Sequence, residues 1–520
     1  MNQRICGLAA GLAAGAIGLG VGLTVALKHL RQASPHDPLV ARLDTNGPCL
    51  LLSTEAAARD YAEALAEARK LHPGAPELVF RPENLAEIAT AFKNRLPRYA
   101  LVLILPQELD VNFAWAWLAL ATQANDDPFV DVRTGFITGE TPAAAAAFVR
   151  RIRTAVEERT PLAGLAVDDL GPNTTAPKDA FVQSQGNFMI PVLGQRLGLS
   201  TISHGTQGFG SDRLTCLHGA GLVHFGGHGY PDRVVDGVDS GLVRQLKLSP
   251  CVVLNGACYT GVTGRWFDLQ GRLAERQVSA GQSFCLGLLS NNVLGYLAAL
   301  HPDHGIPVYQ EMEFLATDGA SLGDVIKHTY DGIILAAGGR LPSLAPFTNG
   351  MPFPAGTPAD VMLQGTASRV LFGDPTLILS PAFAAPSFDI HVDREDAKAL
   401  RVTAVLKNDQ LKATFTDTYH ADLSSNPDLF NDRALITCQL PEDWQTVQEV
   451  EVIQVNPSGK PLKSRIVGFG VAQEGGTRFL HVQVDVPTTG FMQSAFRVPG
   501  ARVQLRVRQG VPMGQRPKTN

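Results

Sequence analysis

Hydrophobic and polar positions fall into two regimes along the chain, with the change near Pro381. Before it, apolar runs of strand length alternate with Ala- and Glu-rich stretches of helical period; after it, apolar and polar residues alternate with period two. Cys49 to Ser53, Glu77 to Phe80 and Tyr99 to Leu105 predict strands, and Thr54 to Leu71, Leu85 to Asn94 and Pro142 to Glu158 predict helices, the first capped by Thr54. This alternation predicts an α/β fold, a parallel sheet flanked by helices.

From Leu162 to Pro381 the alternation continues around more polar strand ends. Leu165 to Val167 stops at Asp168 and Asp169, Leu222 to Phe225 leads to His228, and Cys251 to Leu254 leads to Cys258. Ser283 to Leu289, read as a fourth strand, stops at Ser290, Asn291 and Asn292. Parallel neighbours deliver their carboxyl ends to one sheet edge, where open α/β folds collect ligands. A carboxylate, an imidazole, a thiol and amides are therefore expected to converge. After Pro381 eight short runs, among them Phe388 to Val392, Leu411 to Thr416 and Val503 to Val507, predict a β-sandwich of immunoglobulin type.

At 520 residues the chain exceeds one hydrophobic core, and the expected division is 45–160, 161–382 and 386–510. With 44 basic and 49 acidic residues there is no electrostatic case for a nucleic-acid partner. The seven cysteines contain no CxxC and are too sparse for a disulfide framework or a zinc site. Residues 1–32 hold an uncharged Gly/Ala-rich run, Ile5 to Leu27, between Arg4 and Lys28. It is long enough to cross a bilayer and also carries Ala-x-Ala-like triplets. A membrane anchor and a cleaved export signal both remain open, and either places the protein outside the cytoplasm, on the membrane or in a periplasmic or extracellular space.

The convergent groups suit nucleophilic acyl transfer. A thiolate attacks a carbonyl, and an imidazole takes its proton and returns one to the leaving amine. Gly226, Gly227 and Gly229 on the histidine side and Gly256-Ala257 on the cysteine side let the backbone bend beside a substrate, with the amides of Gly229 and Cys258 free to meet an oxyanion. His224 and His228 have the i, i+4 spacing of zinc ligands on a helix, but Phe225-Gly226-Gly227 between them opposes a helix. No cofactor is expected. Structural calcium, common in large exported enzymes, has no loop signature here.

HFGGHG, NGACYTG and LFGDPTLIL together resemble the gingipain family of caspase-like cysteine peptidases. The resemblance implies a two-part α/β catalytic region followed by an immunoglobulin-like domain, and an endopeptidase acting on protein or peptide substrates. His228 would then be the base, Cys258 the nucleophile, the Gly229 and Cys258 amides the oxyanion hole, and Asp169, or its neighbour Asp168, the carboxylate that orients the imidazole. Arginine-specific members carry an acidic residue where this chain has Gln183, so arginine preference is not implied; Gln183 and Asn291 are the candidate substrate-binding residues. Two other readings use the same residues: a peptidase-like binding protein with a vestigial pair, or a surface-attachment protein working through its β-sandwich.

Overall fold

The computed structural model describes residues 39–170, 197–203, 213–234, 238–269, 272–303, 320–341, 344–352, 364–380, 388–406, 431–456, 465–487 and 502–510, with single positions at 194, 311, 312, 314 and 315. The run Ile5 to Leu27, Gln183 and the expected strand Leu411 to Thr416 lie outside the described residues.

One ten-stranded sheet passes through both α/β blocks. Its strands, in chain order, are β1 (Cys49–Thr54), β2 (Glu77–Phe80), β3 (Tyr99–Leu103), β4 (Arg133–Ile137), β5 (Leu165–Leu170), β6 (Ser200–Ser203), β7 (Leu222–Gly226), β8 (Cys251–Asn255), β9 (Val293–Ala299) and β10 (Arg369–Gly373). Across the sheet they lie in the order β2-β1-β3-β4-β10-β9-β8-β7-β5-β6. The strands β5 to β9 pair in parallel, while β10 runs antiparallel to β9 with Arg369 opposite Ala299. The two blocks meet where Phe372 of β10 pairs beside Phe136 of β4. Glycine is required there, because a Cβ on Gly135 would run into the Gly373 carbonyl and stand 2.9 Å from the Pro375 ring.

Central strands are buried end to end: every residue of β3, β7, β8, β9 and β10 is inaccessible, as strands covered on both faces must be. The helix α1 (Pro142–Glu157) shows how the sequence supplies a cover. The Thr141 hydroxyl accepts from the Ala144 amide, Pro142 opens the first turn, and Ala145, Phe148, Val149 and Ile152 form one buried stripe. Burying Phe148 and Ile152 contributes about 1.5–3 kcal/mol each.

The expected strand Ser283 to Leu289 is instead a helix, α2 (Phe284–Leu289), and the strand of this block is β9. A run of six apolar residues after Ser283 suits either structure by pattern. The local chemistry decides: the Ser283 side chain accepts from the Leu286 amide as an N-cap, and the backbone then turns through Asn291 into β9.

Beyond Pro381, two antiparallel sheets enclose a separate core that includes Leu400, Val402, Ile436, Trp444, Leu480, Val482 and Leu505. One sheet has β11 (Phe388–Asp396), β12 (Ala399–Leu406), β14 (Val447–Asn456) and β17 (Arg502–Gln509), in the order β11-β12-β17-β14. The other has β13 (Asn431–Gln439), β15 (Arg465–Glu474) and β16 (Thr477–Pro487), in the order β13-β16-β15. This unit meets the α/β region at α3 (Leu322–Ala336), where Phe129, Ile334, Leu335 and Ala472 form a small shared core. Beside it, buried Arg133 bonds Asp324 and Glu474 at 3.0 Å each, and Lys327 lies 3.5 Å from Glu474. Among the described residues no helix is long and apolar enough to cross a membrane.

Candidate active site

The parallel register that aligns Val252 to Asn255 of β8 with Leu222 to Phe225 of β7 brings the turns after both strands to the same edge. The β7 turn passes through Gly227, at φ 105°, to His228, whose side chain is exposed. The β8 turn passes through Gly256 and Ala257 to Cys258, which is partly exposed. The turns touch: a Cβ on Gly229 would run into the Cys258 carbonyl and stand 2.9 Å from the Ala257 methyl. Only glycine allows this approach.

His228, Gly229 and Cys258 open onto one cleft of about 410 Å³. Its walls come from two hairpins, Gly229–Tyr230 with Arg233–Val234 and Arg265–Asp268 with Ala274–Gln277, and from Pro302 after β9. Tyr230, Tyr259, Trp266 and Leu269 make much of the lining apolar, and Asp268 adds a carboxylate that lies 3.7 Å from Arg276. The Tyr259 and Trp266 rings meet edge to face at 5.0 Å.

Buried hydrogen bonds hold the cysteine turn. Asn255 Oδ1 accepts from the Ala257 amide at 2.8 Å, and its Nδ2 donates to the Tyr296 hydroxyl at 3.0 Å. That hydroxyl donates to the Thr260 carbonyl at 2.9 Å, and Thr260 Oγ1 donates to the Ala257 carbonyl at 2.8 Å. Although Cys258 retains some accessible surface, burial pushes its thiol up to about 12, and the Asp303 carboxylate adds to the rise; the amides of Asp303 and Cys258 itself, and the Arg369 charge, oppose it. Burial at this position therefore favours the protonated thiol over the thiolate.

His224 is a fully buried residue within strand β7, paired beside Leu254 and Asp168, and so not on a helix with His228. Asp168 and Asp169 lie on β5 next to β7, with Asp169 in register with Phe225; their side chains are outside the description. Asn291, expected among the substrate-binding groups, stands elsewhere. It precedes β9 at the edge where Val293 pairs with Cys251, and its Nδ2 donates to the Val243 and Gly287 carbonyls at 2.9 and 3.1 Å. The misplacement follows from reading α2 as a strand, which put a carboxyl end where an amino end lies. Tyr230, Tyr259, Trp266, Asp268 and Pro302 line the cleft without having been expected there. Trp266 and Asp268, close behind the cysteine turn in GRWFD, offered the one legible signal, an aromatic and a carboxylate in a Gly-rich loop region.

No protein-family model matches the sequence, and no curated protein matches it. Among solved structures the chain is similar to the Arg-specific cysteine proteinase gingipain R, at 11% identity over 85% of this chain and 93% of that one, with a TM-score of 0.43. It is also similar to the complex of Porphyromonas gingivalis RgpB pro- and mature domains, at 11% identity over 84% and 93% of the two chains, with a TM-score of 0.45. The Saccharomyces cerevisiae separase–securin complex matches at 11% identity over 53% of this chain and 16% of that one, with a TM-score of 0.34. The fold is mixed α/β on a large, mostly parallel sheet.

Proposed function

We propose that this protein is a cysteine endopeptidase, exported by way of the Ile5 to Leu27 run, in which Cys258 is the nucleophile and His228 the general base and acid. The observation that carries this reading is the meeting of the β7 and β8 turns, which opens one imidazole and one thiol onto the same cleft. His228 takes the Cys258 proton as the sulfur bonds to the scissile carbonyl carbon, and the carbonyl electron pair moves onto oxygen, an oxyanion that accepts hydrogen bonds from the Gly229 and Cys258 amides. Collapse breaks the C–N bond, His228 gives its proton to the amine, and water then hydrolyses the thioester. Asp169 or Asp168 would orient the imidazole, and Gln183 belongs to the substrate side by resemblance.

A second reading, a peptidase-like protein that binds without cleaving, is favoured by the thiol held near 12. Mass spectrometry after exposure to a panel of peptidyl acyloxymethyl ketones separates the two. An adduct on Cys258 that depends on the peptide, absent from Cys258→Ala, is expected, together with a loss of peptide hydrolysis of about 10⁴-fold in that variant. A folded protein that gives no adduct across basic, acidic and apolar peptides overturns the peptidase reading.

A further inference from the structure

Behind the cleft lies a cluster of buried charge that the proposed chemistry does not use. Arg369, the first residue of β10 and wholly inaccessible, forks onto Glu311 through Nε–Oε1 and Nη2–Oε2 at 2.6 Å each. Its Nη1 donates to Asp303, and its own carbonyl accepts from the Tyr330 hydroxyl. Asp303 and Glu311 are buried as fully as the arginine. Two carboxylates against one guanidinium, all out of water, cost several kcal/mol in desolvation, and a hydrophobic trio of the same volume would stabilise as well. Stability alone does not explain the cluster, so its geometry is the place to look.

That geometry ends at Cys258. Because β10 runs antiparallel to β9, Arg369 stands beside Ala299, and its side chain reaches the segment that leaves β9 at the cleft edge. The neighbouring Pro302 lines the cleft with Cys258, and the Asp303 amide lies close enough to the Cys258 sulfur to favour its thiolate. The same segment is pinned from below, where the Leu300 amide donates to the Ser368 carbonyl at 3.1 Å and the Gly261 amide donates to the Ala299 carbonyl at 2.9 Å. We infer that Arg369 is a positioning residue for Cys258: through its bond to the Asp303 carboxylate it fixes the amide that meets the nucleophile's sulfur. The inference rests on the reading of Cys258 as the nucleophile. The groups facing that sulfur are His228 across the cleft, Tyr259 next in the chain, and Asp303 and Arg369 behind.

The Asp303 carboxylate has two effects of opposite sign, which makes the inference testable. Its charge disfavours the thiolate, whereas its bond to Arg369 holds the amide that favours it. Asp303→Ala leaves Arg369 and Glu311 paired one to one, and Asp303→Asn keeps an oxygen for the guanidinium. The readout is the rate at which iodoacetamide alkylates Cys258 between pH 6 and 10, followed by peptide mapping. Positioning predicts alkylation about tenfold slower in Asp303→Ala at pH 7.5, with Asp303→Asn, which loses the charge but keeps an oxygen for the guanidinium, at the parent's rate or faster. Parent-like or faster alkylation in Asp303→Ala overturns the inference, since loss of the charge alone speeds the reaction. If Asp303→Ala lacks a cooperative unfolding transition, Arg369→Lys decides, keeping the charge and losing the fork: slower alkylation supports positioning and an unchanged rate overturns it. Peptide hydrolysis is measured in parallel. A parent that cleaves while Asp303→Ala alkylates faster loses only this inference; a parent that never cleaves while Asp303→Ala alkylates slowly loses only the peptidase reading.

Discussion

Tyr259 follows Cys258 with φ at 60°, a left-handed conformation that costs a non-glycine residue about 1–3 kcal/mol. Its hydroxyl bond to the Phe267 carbonyl at 3.2 Å and its contact with Trp266 hold it there, and the sharp turn leaves the Cys258 side chain at the cleft. Gly229 has the matching role on the histidine side. Gly229→Ala is expected to force the two turns apart and lower kcat by about 10²-fold, the loss that a displacement near 1 Å brings. The unfolding midpoint should move little by comparison; steady-state kinetics with thermal denaturation checks both. At this scale the sequence was legible where backbone chemistry left a mark, as in the Gly-rich turns that single out His228 and Cys258. It was silent on Arg369 and Asp303, which are 66 positions apart and joined by one bond between side chains. An ion pair has no period and no turn residue to betray it.

Among the elements, the strands β1, β3, β7 and β8 could be read directly, since their short apolar runs are flanked by Gly or Pro, which tips a run that would otherwise suit a helix equally toward a strand. The helix α2 could not, because its six residues carry no helical period and only the Ser283 cap separates it from a strand. A different tie between elements follows from the Gly-Asp-Pro turn after β10. Buried Asp374 accepts from its own turn at Thr376, 2.8 Å from the amide and 2.6 Å from the hydroxyl, and meets His72 Nε2 at 2.6 Å. Burial alone would lower the His72 pKa, but Asp374 outweighs it and raises it; burial alone would raise Asp374, but His72 outweighs it and lowers it. The raised histidine adds stability that is full below 6.5 and fades as pH climbs through its folded value. The lowered carboxylate adds stability present above 3.8 and lost on acidification. His72→Ala should therefore lower the urea midpoint most between these limits, with the difference from the parent narrowing toward pH 9. A difference constant with pH would show that the ion pair contributes nothing.

For the molecule as a whole, the joint between the α/β region and the two C-terminal sheets sits away from the cleft. Arg98 and Arg133 stand at the amino ends of β3 and β4, whereas Thr263, just past the cysteine turn, donates at 2.8 Å to Pro106 beyond the carboxyl end of β3. Burial would raise the Glu474 carboxyl, but Arg133 and then Lys327 outweigh it and hold the group at about 2. Glu474→Ala takes one of two carboxylates from Arg133 and from Lys327, which keep Asp324 and Asp331, and should destabilise by about 1.5 kcal/mol in urea denaturation near pH 7. The depressed carboxyl fixes the sign of the pH effect: the penalty is full above about pH 4.5 and disappears as acid titrates the parent toward pH 2. Peptide hydrolysis by the folded variant should stay at the parent's level. The contact between the two regions was hidden in the sequence, since Gly468 against Leu335 and Glu474 against Arg133 join residues with no relation along the chain. The place of β10 bears on how the protein is made. Residues 369–373 form the strand between β4 and β9, so a nascent chain emerging from its amino end holds two unfinished half-sheets until late in synthesis. Cys258 and His228 leave the ribosome well before Arg369 does. A chain cut short before β10 would thus carry both reactive side chains without the strand that joins the halves, which delays the site until most of the polypeptide exists.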